Sequence, residues 1–269
     1  KSVYMLMVDR FAKPWAVGGR SDCGGDTRWC HGSLQGVISR LDYVENMGFD
    51  CVWITPVLEQ PASEPCHKPG GCSVGYHGYW TTNFYNIDRR YGTSADLIKL
   101  SANLKSRGMC LVMDVVLNHV RPISRPGQLA QVYPFDKPEY FNQYGRRFNA
   151  TTQTQETFGE YLKHSGQALR YTSLGCSLPL DASKCPGADE HEIREGWFYD
   201  LADLNQSHTF VRSELKAWVA HMVQSYGIDA LRLDTTPYMD KAFLAELQQV
   251  AGVEVIGEVM TSNIPFHAS

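Results

Sequence analysis

Short apolar runs alternating with amphipathic stretches predict an α/β fold whose strands pair in parallel, either closed into a barrel or wound as an open sheet. Three observations carry this. The apolar runs are continuous rather than alternating, as in strands buried on both faces. Polar residues recur where those runs end. The length, 269 residues, suits one large α/β barrel or two ordinary domains.

Residues 3–8 (Val-Tyr-Met-Leu-Met-Val) read as the first strand. Leu34, Val37, Ile38, Leu41 and Val44 recur at helical spacing, so one helix is predicted over 34–47, stopped by Gly48. Residues 49–55 form the second strand, ended by Pro56. Ser94 is the expected cap of a helix running to Arg107, with Gly108 past its end. Residues 109–116 form the third strand. Periodicity then fails from Arg121 to Gly196, a stretch rich in Gly, Pro, Gln and Asn. A structureless loop of that length is improbable, so a small inserted domain is expected there. Order returns with a helix over 210–226, a strand over 228–233, a helix over 241–250 and a last strand over 253–256. The predicted organisation is a first sheet-and-helix part over 1–120, an insert over 121–196 and the continuation over 197–269. A doubly wound sheet gives the same alternation, but no Gly-rich phosphate loop follows the first strand, which weighs against nucleotide binding.

With 25 Lys+Arg against 29 Asp+Glu the net charge is −4, which argues against nucleic acid or an anionic membrane as partner. No run of eighteen apolar residues exists to span a membrane. Lys1 opens the chain without Met, so a processed or cropped piece is expected. Among eight cysteines, Cys23/Cys30, Cys66/Cys72 and Cys176/Cys185 lie close together in Gly-, Pro- or Ser-rich stretches. Short loops closed by paired cysteines are typical of secreted proteins. A zinc site from Cys66, Cys72 and His67 or His77 lacks metal-ligand spacing. Cys51 and Cys110 sit inside apolar runs and are expected to be buried thiols, although neighbouring strands would bring them close. The sequons at Asn149 and Asn205 fit an extracellular location.

Asp114, Asn118 and His119 follow the third strand, Arg232 and Asp234 end the fourth, and Glu258 follows the fifth. In a parallel barrel such ends converge on one rim. Arg232 and Asp234, two apart on a strand, point the same way. Two facing carboxyl groups suit glycoside hydrolysis, one ionised to attack the anomeric carbon and one protonated to release the leaving oxygen. Arg232 is expected to hold Asp234 ionised, leaving Glu258 as acid/base. An Arg232–Asp234 ion pair at a strand end, with Glu258 merely solvated, fits the same spacing.

These residues resemble the α-amylase superfamily of glycoside hydrolases, most of all the secreted fungal enzymes of the Taka-amylase type. The resemblance rests on Asp-Val-Val-Leu-Asn-His at 114–119, Gly-Ile-Asp-Ala-Leu-Arg-Leu-Asp at 227–234 and Ile-Gly-Glu-Val at 256–259. Supporting stretches are Gly-Phe-Asp-Cys-Val-Trp-Ile-Thr-Pro at 48–56, Tyr-His-Gly-Tyr-Trp at 76–80 and Leu-Ala-Asp-Leu-Asn at 201–205. All six keep the family's order. The resemblance implies a (β/α)8 TIM barrel, here reaching about the fifth strand, with a small domain inserted after the third. It implies retaining endo-hydrolysis of α-1,4-glucans by a secreted, monomeric enzyme, with Asp234 as nucleophile, Glu258 as general acid/base and Arg232 orienting Asp234. His119 would bond sugar hydroxyls, Tyr79 would stack under the sugar, and His77 and Trp80 would line the cleft. A structural Ca²⁺ is implied, with Asn118 and Asp203 as side-chain ligands and Tyr238 giving a backbone carbonyl; hard oxygen donors suit that ion.

Two departures qualify the resemblance. The Lys-His that follows the fungal nucleophile at the third and fourth positions is Pro237-Tyr238 here, which implies altered leaving-group subsites lined in part by Tyr238. A glucan-transferring or oligosaccharide-specific relative fits that change. The family's third carboxylate, beside an Asn-His pair, lies beyond Ser269. Five strands do not close an eight-stranded barrel, so activity is expected of the parent chain. A non-catalytic glucan-binding relative would be expected to lose a carboxylate, yet Asp234, Glu258 and Arg232 all remain.

Overall fold

Each of the five apolar runs becomes a strand, and the strands pair in the order in which they occur. The computed structural model describes residues 1–14, 27–61, 66–67, 71–72, 74–123, 126–142, 148–149, 154–155, 178–180, 183, 190, 194–197, 201–261 and 263–267. Strands β1 (Val3–Leu6), β2 (Cys51–Ile54), β3 (Cys110–Val115), β4 (Ala230–Leu233) and β5 (Glu254–Gly257) form one sheet in the order β1-β2-β3-β4-β5. Every ladder in it is parallel, an arrangement consistent with part of a (β/α) barrel.

Alternation along β3 explains both the core and the site. All six of its residues are buried. Leu111, Met113 and Val115 belong to the large core that includes Leu97, Leu100 and Leu104 of α3 (Ser94–Ser106) and Leu215, Trp218 and Met222 of α4 (Thr209–Tyr226). Cys110 and Val112 form a separate small cluster with Cys51, Trp53 and Ala230. Because successive side chains point to opposite faces, Asp114 shares that second face. The face therefore runs from a cysteine pair at one end of the strands to a charged group at the other.

Three expectations need correction. Cys51 and Cys110 are bonded to each other in a disulfide. They are register partners in the β2–β3 ladder with Cα atoms 4.4 Å apart, and partners in a parallel ladder project on the same face, so apolar surroundings did not mean free thiols. The stretch 34–47 is two helices, α1 (Leu34–Ile38) and α2 (Leu41–Asn46). The Ser39 hydroxyl donates to the Gly36 carbonyl at 2.7 Å and Arg40 leaves helical geometry, while Leu34, Val37, Leu41 and Val44 stay buried across the break. Thr93, not Ser94, caps α3. Its hydroxyl accepts from the Asp96 amide and Asp96 accepts from the Thr93 amide, a reciprocal box that needs an acid three residues after the cap.

Helix α4 and α5 (Lys241–Ala251) end at Gly227 and Gly252, both in the left-handed region. Most of the insert expected over 121–196 lies outside the described residues. The strand His119–Pro122 pairs antiparallel with Leu201–Asp203. Cys30 is disulfide-bonded; its expected partner Cys23 lies outside the described residues, as do Cys176 and Cys185. Cys66 and Cys72 are register partners in a two-residue antiparallel ladder. No described helix is long and apolar enough to cross a membrane.

Candidate active site

Arg232 pairs in register with Asp114 on one side and Ile256 on the other. Beyond the strands the ladder continues, with the Asp234 amide donating to the Val115 carbonyl at 2.9 Å and the Glu258 amide donating to the Leu233 carbonyl at 2.8 Å. These two bonds fix where both acids leave the sheet. One guanidinium then gathers three carboxylates. Arg232 Nη1 donates to Asp114 Oδ1 at 2.8 Å and to Asp234 Oδ1 at 2.7 Å, and Nη2 lies 2.7 Å from Glu258 Oε1. Glu258 Oε2 also accepts the Thr235 amide at 2.9 Å. Thr235 has φ +51°, a costly conformation for a β-branched residue, and that turn is what aims its N–H at Glu258.

Burial sets the electrostatics. It works against the Arg232 charge, but Asp114, Asp234 and Glu258 outweigh it and raise the group above its ordinary range. Burial pushes the Asp234 carboxyl up, while Arg232, first among the opposing groups, and the neighbouring Glu258 carboxyl pull it down, Arg232 acting in the direction expected of it. Asp114, fully buried, is pushed up to about 7 by burial despite its ion pair with Arg232. A folded-state value above the unfolded one means that the native state binds the extra proton, so this group's stabilisation is complete below about pH 4 and is lost as pH rises toward 7. Urea unfolding across that range is expected to show a negative slope that flattens in Asp114→Asn; equal slopes would contradict the assignment.

Sequence reasoning did not give Asp114 a role. It holds the aromatic wall of the site: Oδ2 accepts Tyr79 Oη at 2.9 Å and Trp53 Nε1 at 3.1 Å. The available signal was an acid inside an otherwise apolar buried strand. Tyr79 comes from a loop pressed against the end of β2. At Gly78 (φ +91°) an added Cβ would sit 2.0 Å from the Pro56 carbonyl oxygen, so only glycine fits. Gln60 clamps the loop, donating to the Gly78 carbonyl and accepting the Trp80 amide. His77 accepts the Tyr79 amide at Nδ1, stacks on the Tyr79 ring and meets Trp80 edge-on. His119 is buried and bonds the Tyr79 backbone; burial pushes it down to about 4, so it stays neutral near pH 7. Tyr238 lies in the turn Thr236–Tyr238 after Asp234, its half-buried phenol bonded to the Leu178 backbone. Arg232, Asp234, Glu258 and Tyr79 are thus linked through Asp114 or directly, His77, Trp80 and His119 join through the Tyr79 loop, and Tyr238 follows one turn later.

Asn118 and Asp203 sit next to this group on the antiparallel pair. The Asn142 side chain donates to Asp203 Oδ2 at 2.8 Å, whereas Asn118 Oδ1, Asn118 Nδ2 and Asp203 Oδ1 are buried without a partner at full hydrogen-bond geometry, the Asn118 side chain lying close enough to Asp203 to pull its carboxyl down. Burial pushes Asp203 well up. Two orphaned hard oxygens suit a Ca²⁺ ion. Among the described residues no three Asp, Glu, His or Cys side chains converge as a metal cluster, so a cation here would rest on one carboxylate, one amide and carbonyls.

The sequence model described as "Alpha amylase, catalytic domain" matches residues 9–172. The chain belongs to the α-amylase family. It is 32% identical over 265 residues to alpha-amylase 2 of Schwanniomyces occidentalis, covering 96% of this chain and 44% of that protein. It is 30% identical to the alpha-amylase of Saccharomycopsis fibuligera, covering 98% and 46%. Among solved structures, the α-amylase from Malbranchea cinnamomea superposes with a TM-score of 0.75 at 29% identity, over 99% of this chain and 48% of that one. The acarbose complex of the Geobacillus thermoleovorans α-amylase gives 0.67 at 26% identity, over 99% and 48%. The chain therefore spans less than half the length of each of these four proteins.

Proposed function

We propose that the full-length protein is a secreted, monomeric endo-hydrolase of α-1,4-glucosidic bonds in starch-like glucans, acting with retention. The observation that carries this reading is the clamp of Asp234 and Glu258 on the single guanidinium of Arg232. Asp234 attacks the anomeric carbon as Glu258 gives its proton to the leaving glycosidic oxygen; Glu258 then takes a proton from water as the β-linked glucosyl–Asp234 ester is hydrolysed. Arg232 holds both acids and favours the charge of Asp234. Tyr79, fixed by Asp114, offers a ring face to the apolar face of the sugar. His119, neutral, bonds its hydroxyls, and His77, Trp80 and Tyr238 line the cleft. The deciding experiment is NMR of the first-formed products from maltooligosaccharides. The α-anomer is expected before mutarotation, and initial release of the β-anomer would overturn the retaining assignment. Family membership by the other α-amylases supports the glucan as substrate.

Asn118, Asp203 and the Tyr238 carbonyl are proposed to hold Ca²⁺, whose role is to tie the antiparallel pair to the turn after Asp234. Because the ion binds only the folded protein, excess chelator is expected to lower Tm by roughly 10 °C, reversed by Ca²⁺. An unchanged melt would remove the site.

A further inference from the structure

We propose that Arg121 forms the centre of a buried binding site for a small monovalent anion of the chloride class. Arg121 lies on the strand His119–Pro122, anchored by its amide, which donates to the Thr81 carbonyl at 3.2 Å. Its side chain runs inward and is only 6% exposed. Nε donates to the Pro122 carbonyl at 3.2 Å and Nη1 to Gln131 Oε1 at 3.1 Å. Both acceptors are neutral, and a guanidinium has five N–H donors. Among the described residues no carboxylate pairs with it.

The contrast with Arg232 defines the problem. That buried guanidinium is matched by three carboxylates, and the half-buried Arg90 is matched by Asp88. Two neutral oxygens accept from Arg121 but neither matches its charge, and a buried charge without a counter-charge is among the costlier features a fold can carry. Burial pushes the group below its ordinary range, and among the described residues no neighbouring charge opposes the shift. Thr81, whose carbonyl receives the Arg121 amide, carries a buried hydroxyl that has no partner among the described residues.

The same facts set the ligand class. One cation among neutral groups is neutralised by one negative charge; a phosphate or other dianion would leave a buried excess. Arg121 follows His119 by two residues on the same strand, so an ion here would brace the strand that carries His119. This inference does not depend on the glycosidase chemistry.

The test uses the full-length protein and two readouts. In thermal melts at constant ionic strength, chloride or bromide is expected to raise Tm saturably over gluconate, by roughly 5 °C, and Arg121→Gln is expected to abolish the difference. Crystals soaked in bromide are expected to show anomalous density against the Arg121 guanidinium, a measurement that needs no variant should Arg121→Gln fail to fold. No bromide at Arg121, a chloride response unchanged in Arg121→Gln, or a carboxylate from elsewhere in the protein seated on the guanidinium would each overturn the site.

Discussion

In the full-length protein, Glu258→Gln is expected to lower kcat on maltooligosaccharides by about 10²–10⁴-fold, the usual contribution of a positioned general acid. The amide keeps the shape of the side chain and a contact with the Thr235 amide, which Glu258 Oε2 accepts at 2.9 Å, but it has no proton for the leaving oxygen. The loss is expected to shrink on substrates such as glucosyl fluoride, whose leaving group needs no protonation. Asp234→Asn is expected to abolish turnover on both substrate types, because every route passes through its bond to the anomeric carbon. That difference between the two variants separates their roles, and circular dichroism checks that the fold is intact. Turnover like the wild type in either variant would reject the assignment. A Glu258→Gln variant equally impaired on glucosyl fluoride would reject its role as acid.

Removing the Cys51–Cys110 disulfide by replacing both cysteines with alanine is expected to destabilise the full-length protein by about 4 kcal/mol. The bridge spans 59 residues, and a loop of that size loses about this much conformational freedom in the unfolded chain. The corresponding fall in Tm for a protein as long as its relatives is roughly 3–5 °C. Both sulfurs belong to buried residues, so reductant is expected to act on the unfolded protein and scarcely on the native one. A double variant melting within about 2 °C of the wild type would show that the bridge adds nothing to the stability of the β2–β3 pair.

Local patterns made the scaffold legible. Continuous apolar runs at β2 and β3 announced parallel strands buried on both faces, and Gly48 and Gly108 marked helix ends where they occur. The two-residue spacing of Arg232 and Asp234 placed both on one face, as their 2.7 Å contact shows. Ser94 has the chemistry of a cap, but the reciprocal bonds with Asp96 fall to Thr93, one residue earlier. The helix over 34–47 was missed as two segments because hydrophobic spacing records which side chains face the core and is blind to a local change in backbone bonding.

Sequence by itself determined the order of strands and helices, the family and the candidate acids, since these follow from periodicity, local backbone chemistry and short motifs. Only the tertiary structure decided that Cys51 meets Cys110, that Asp114 joins Trp53 and Tyr79 to Arg232, and that burial pushes Asp234 up against the pull of its arginine. Those outcomes depend on strand register and on how far each charge is removed from water, and both are set by contacts between residues 35 to 118 positions apart in the chain.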